Sequence, residues 1–125
     1  MGADPLAALR AICLSMPQVT ERLSHGEPAW FAGRPAFVTY ADRHHDDRLA
    51  FWCAAPPGQQ QELVAQDPER FFVPPYVGGR GWLGVRLDVE IDWQLISELV
   101  EDAYRAVAPA RLRAELDARG GTATA

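Results

Sequence analysis

The spacing of apolar residues changes along the chain, and each change marks an element. Leu6, Leu9, Ile12, Cys13 and Met16 recur at helical spacing behind Asp4-Pro5, an N-cap followed by proline at the first helical position, and Pro17 ends the run. The apolar stripe is narrow, so this helix is expected to pack on a sheet. Residues 19–24 then read as a short polar strand and His25-Gly26-Glu27-Pro28 as the turn after it. Residues 29–32 lead into Gly33-Arg34, which has the form of a two-residue hairpin turn with glycine first, and residues 35–41 form the return strand. Strict alternation places Ala36, Val38 and Tyr40 on one face of that strand and Phe37 and Thr39 on the other.

Residues 42–47, Asp-Arg-His-His-Asp-Asp, are too polar for a strand and read as a second hairpin loop. In the strand 48–54, Leu49, Phe51 and Cys53 share one face and Ala50 and Trp52 the other. Both faces are partly apolar, which implies helices on one side and an aromatic surface or second contact on the other. Pro56-Pro57-Gly58 breaks the strand, and 59–66 is a short helix closed by Asp67-Pro68. Residues 70–87 combine strand-forming aromatic and β-branched residues with the glycine-rich centre Gly78-Gly79-Arg80-Gly81, and read as a β-hairpin with an exposed tip. Asp92 then caps a helix with the broadest apolar face in the chain: Trp93, Ile96, Val100, Ala103 and Val107, with Leu95, Leu99 and Tyr104 alongside. Ala108-Pro109 interrupts it, 110–119 continues as a short amphipathic helix, and 120–125 is expected to be a frayed, disordered tail. Sequential antiparallel strands between terminal helices give an α+β class: one two-layer domain over residues 1–119.

Composition narrows the function. A length of 125 residues suits one core, and no apolar run approaches the length of a membrane span, so a cytoplasmic protein with no membrane partner is expected. Cys13 and Cys53 sit in apolar runs and read as buried hydrophobes. The net charge of −5 opposes non-specific DNA binding. Charge is nevertheless uneven: residues 70–87 hold Arg70, Arg80 and Arg86 with no acid, whereas residues 88–102 hold only acids.

The blocks Leu23-Ser24-His25-Gly26-Glu27-Pro28, Asp42-Arg43-His44-His45-Asp46-Asp47, Pro68-Glu69-Arg70-Phe71-Phe72-Val73-Pro74-Pro75-Tyr76, Gly81-Trp82 and Asp102-Ala103-Tyr104 resemble the MmcQ/YjbR family, in the family's order and over nearly the whole chain. The resemblance implies a fold similar to the frataxin/CyaY type, an antiparallel sheet against helices. It also implies DNA binding through two hairpin wings, which fall here on residues 42–47 and 77–81.

No nucleophile elbow, phosphate loop, paired-cysteine motif or zinc-protease helix is present, so a non-enzymatic protein without a cofactor is expected. His25 beside Glu27 or Asp47 has the ingredients of an oriented base, but holding the turn before Pro28 by hydrogen bonds to backbone is the better account of it. His44-His45-Asp46-Asp47 has ligand-type side chains, yet neighbours on an extended loop point apart, and no metal site is assigned. The candidates for nucleic-acid or anion binding are Arg34, Arg43, His44, His45, Arg70, Tyr76, Arg80, Trp82 and Arg86. Phe71, Phe72 and Trp82 have an alternative as core, and Arg70 as an internal clamp on Asp67 or Asp88. Three functions stay open: DNA binding through the wings, binding of a small anionic or aromatic ligand, and a partner-protein adaptor. A cleft lined by Trp30, Trp52 or Trp82 favours the ligand; a convex basic ridge favours nucleic acid.

Overall fold

A computed structural model describes the backbone of residues 4–43 and 48–124 and the side chains of 4–43 and 48–119. The first proposed wing, including His44 and His45, lies outside the described residues apart from Asp42 and Arg43, and so do the side chains of the expected tail at 120–125. Helix α1 (Pro5–Leu14) leads into strands β1 (Val19–Ser24), β2 (Glu27–Ala32), β3 (Ala36–Asp42) and β4 (Leu49–Cys53). Helix α2 (Gln59–Gln66), strand β5 (Phe71–Phe72), a 3-10 turn (Gly78–Arg80) and strand β6 (Leu83–Arg86) follow, then α3 (Trp93–Val107) and α4 (Ala110–Thr124). The strands form one antiparallel sheet in the order β1-β2-β3-β4-β6-β5. This is the α+β class expected from the pattern.

The caps act as the sequence implies. Asp4 accepts from the Leu6 N–H at 3.1 Å, and Asp92 accepts from the Leu95 N–H at 3.1 Å. His25 and Gly26 both have positive φ, so two residues alone turn β1 into β2. The turn is shorter than the four residues expected, and Glu27 and Pro28 belong to β2.

Helices α1 and α3 touch each other and cover one face of the sheet. Trp30 identifies that face: it is fully buried, and its indole N–H donates to Glu21, whose carboxylate also takes two hydrogen bonds from Arg10 of α1 at 2.8 and 3.0 Å. Val38, Cys53 and Leu83 follow Trp30 across the register and share its side. On α3, Tyr104 is fully buried and its hydroxyl donates to the Pro17 carbonyl at 2.7 Å. Both cysteines are free and buried; burial pushes the Cys53 thiol up to about 12 and the Cys13 thiol well above its ordinary range.

Two expectations change. Trp30 pairs with Val38 but Phe31 with Ala36, so Phe37 is an extra residue in a bulge. The bulge breaks the strict alternation, and Phe37 packs fully buried, edge-on to the Tyr104 ring, instead of sharing the opposite face with Thr39. The second change concerns residues 70–87. Their ends do pair antiparallel, Phe71 with Val85 and Phe72 with Gly84, but the ten residues between β5 and β6 are not a hairpin tip. They fold into a compact loop with a 3-10 turn at its centre, and Gly78 is buried in it. A β-carbon there would meet Val73 Cγ1 at 2.6 Å, so the second proposed wing, 77–81, is anchored through Gly78 in a compact turn and is not an extended finger, while Gly79 and Arg80 are exposed as expected of the tip.

Candidate groove on the open face of the sheet

The side of the sheet away from α1 and α3 carries Thr39 opposite Trp52, and Trp52 opposite Gly84. These residues are one step out of phase with Val38, Cys53 and Leu83, which places them on the open side. The Phe72 ring lies across Gly84, where a β-carbon would come within 2.4–2.6 Å of three ring atoms, and the Arg86 guanidinium stacks on that ring at 4.4 Å from its centroid. Glycine is therefore required in β6 by the close approach of an aromatic ring.

A groove of about 660 Å³ runs over this open side. Strand β3 contributes Ala36 and Thr39, and β4 contributes Trp52. The hairpin between β1 and β2 brings Ser24, His25 and Glu27, while Pro35 of the β2–β3 turn and Val107, the last residue of α3, border the groove where it reaches the edge of the covered side. The loop between β5 and β6 supplies Tyr76, Val77, Arg80 and Trp82. Trp52 and Trp82 are largely buried, whereas Tyr76 is 81% exposed at the mouth. The Arg80 guanidinium lies 5.5 Å from the Trp82 ring centroid, a cation–π distance that aligns its charge along the wall.

Backbone strain gathers at the same place. His25 (φ 55°) and Tyr76 (φ 64°) both adopt the left-handed conformation. Histidine visits that region more readily than most residues, but for bulky tyrosine it is an outlier, and such residues persist where their surroundings hold them.

Among the groove's described side chains Arg80 and Glu27 bear charges of opposite sign, and His25 adds an imidazole. Tyr40 borders the groove, but it is in phase with Val38 and faces the helix-covered side; burial raises its phenol above its ordinary range, with the charges of Asp42, Asp4 and Glu27 adding to the effect. The arrangement offers aromatic surface for stacking, one arginine for an anionic group and a polar end at the hairpin turn.

Tyr76, Arg80 and Trp82 come together in this groove; the other described candidates do not join them. Arg34 sits exposed in the β2–β3 turn, and Arg43 is exposed with its guanidinium 3.6 Å from Asp42. Arg70 is the internal clamp anticipated as one alternative, on Asp67: its guanidinium lies 3.6 Å from that carboxylate and its N–H donates to it at 3.2 Å. Asp88, the other partner considered, is taken by Arg48 in a two-pronged pair at 2.6 and 2.9 Å. Arg70 and Arg86 instead line a depression of about 10 Å³ beside Glu90 and Asp92, with room for no more than about one water. Of the tryptophans considered for a cleft, Trp52 and Trp82 line one, and Trp30 is core. Phe71 is core as well.

Ser24 and Thr39 were not singled out as site residues by the sequence, Val77 entered only as the start of the second proposed wing, and Gln60, which anchors the loop from α2, was passed over. The strand residues could have been found by following the phase of Trp52 across the register; no sequence signal separates Gln60 from its neighbours Gln59 and Gln61. Among the described residues no cluster of three or more His, Cys, Asp or Glu could hold a metal, and no helix is long and apolar enough to cross a membrane.

Comparison with solved structures finds a similar chain in the crystal structure of Deinococcus radiodurans protein DR2400, which carries the family domain DUF419. The two share 19% identity over 90% of this chain and 87% of that one, with a TM-score of 0.71, which shows a common fold. No match was found among curated proteins. The YjbR family model matches residues 14–106, a span from the end of α1 through most of α3 that includes most of the groove. With the six-stranded antiparallel sheet backed by helices, that match makes this chain a member of the YjbR family.

Proposed function

We propose that this domain is a non-enzymatic cytoplasmic binding protein whose ligand is a small, planar, anionic molecule held in the open-face groove. The observation that carries the reading is the groove itself: about 660 Å³, within the range of small-molecule sites, with two largely buried tryptophans and a single arginine on its wall. The rings suit a flat ligand and the guanidinium a carboxylate, sulfonate or phosphate. Duplex DNA, the ligand suggested by family resemblance, fits less well. Nucleic-acid surfaces are basic and follow the backbone. Here Arg34, Arg43, Arg70 and Arg86 lie outside the groove, and Arg80 shares it with Glu27.

Anilinonaphthalene sulfonate, an aromatic anion with a flat naphthalene ring that fluoresces when shielded from water, is a direct probe. Saturable binding with one site per chain is expected, weakened about tenfold by Arg80→Ala, the equivalent of a charge-assisted contact of about 1.4 kcal/mol. A short duplex at low salt is expected to give no comparable binding. Non-saturable fluorescence indifferent to Arg80→Ala, or tight salt-sensitive duplex binding lost in that variant, would overturn the proposal.

A further inference from the structure

We infer that Gln60 is the positioning residue of the groove: a buried amide on α2 that holds the loop between β5 and β6, and with it Tyr76, Arg80 and Trp82, in the conformation that forms the groove wall. Gln60 is 6% exposed, and among the described residues it is the one buried polar side chain. Its Nε2 donates to the Gly78 carbonyl at 2.9 Å and to the Trp82 carbonyl at 2.6 Å. Both partners can only accept, so both protons must come from one nitrogen at this reach. A primary amide on a two-carbon stem meets that demand. Glutamate offers oxygens, methionine offers no donor, and asparagine is one carbon short.

The placement of the two carbonyls gives the contact its role. They bracket the 3-10 turn, with Arg80 between them. The Arg80 N–H bonds the Val77 carbonyl and the Gly81 N–H bonds the Gly78 carbonyl, each at 3.0 Å, so these bonds shape the turn without tying it to the body of the domain. Gln60 makes that tie. Without its donors the Trp82 carbonyl loses the amide bond in a buried setting and the Gly78 carbonyl keeps only the Gly81 N–H, a cost comparable to the free energy of opening a loop locally while the sheet persists. The tie thus sets how often the wall is in place.

The ordering of the loop stands apart from any ligand; the consequence for affinity rests on the groove reading above. Amide hydrogen exchange by NMR on the full chain tests the tie, with Gln60→Met removing the donors at similar size and Gln60→Glu replacing them with a titratable group. Protection of Arg80 and Gly81 is expected to fall about tenfold or more in Gln60→Met while Val38 and Phe51 keep theirs. In Gln60→Glu, acidification from about pH 8 to about pH 5 is expected to restore part of that protection, because a protonated carboxyl regains one donor. Unchanged protection at Arg80 and Gly81 in Gln60→Met, or an equal loss at Val38 and Phe51, would overturn the inference. Binding of anilinonaphthalene sulfonate by wild type but not by Gln60→Met, with unchanged circular dichroism, supports the link from tie to site, and equal binding by both overturns that link. A wild type that binds no probe overturns the groove reading, while the exchange result still decides the tie.

Discussion

Tyr76 concentrates the tension between stability and use in one residue. Its φ of 64° is a conformation that costs a bulky L side chain about 1–2 kcal/mol, and its ring, 81% exposed at the groove mouth, gains little from burial in return. Tyr76→Asn places a residue that tolerates the left-handed region at the same position. The expected outcome is a urea midpoint corresponding to roughly 0.5–1 kcal/mol more stability, together with weaker binding of anilinonaphthalene sulfonate. A variant less stable than wild type would show that the ring contributes more to the fold than the strain costs. At this scale the site was legible only in part. The sequence brings Tyr76, Arg80 and Trp82 forward because rings and guanidinium groups are chemically conspicuous. Gln60 is invisible in a row of three glutamines, since its role depends on acceptors 18 and 22 positions away.

Between elements, the Arg10–Glu21–Trp30 cluster fastens α1 to the sheet through a partly exposed ion pair set against the buried indole. Glu21 titrates below its ordinary range, chiefly because the Arg10 guanidinium donates to it; burial opposes this, and the Trp30 indole N–H and the Arg10 charge add to the lowering. A carboxyl whose folded value is lowered contributes stability that is complete above its unfolded value of about 4.3 and is lost as pH falls through the folded value. Glu21→Gln is therefore expected to melt below wild type at neutral pH, and the gap is expected to close as pH drops below about 4. Thermal melts across that range check it; a gap constant with pH would mean that the ionised carboxylate contributes nothing. The regular elements themselves were read correctly from spacing, because caps, prolines and period act locally. What was missed is non-local. The bulge at Phe37 exists because β3 must present consecutive residues to α3 and the core, and the 73–82 loop is compact because Gln60 and the packing of Val73 against Gly78 hold it there. A glycine-rich stretch between two strand-like runs reads the same whether it projects or folds back.

Taken whole, the molecule is an acidic domain with a nearly charge-balanced concavity on its uncovered face. The uneven charge of the sequence pointed to residues 70–87 for anion recognition, and the fold scatters the chain's guanidinium groups among a clamp on Asp67, a pair with Asp88, a stack on Phe72 and two exposed turns. Arg80 remains beside the aromatic wall. The central claim is that ligand binds on the open face of the sheet, and amide chemical-shift mapping during titration with anilinonaphthalene sulfonate tests it most directly. The account predicts saturable shifts at Ser24, His25, Thr39, Trp52 and residues 76–82, with α1 and the Arg70–Arg86 depression unmoved. Shifts centred on α1 or on that depression, with residues 76–82 unchanged, would contradict it.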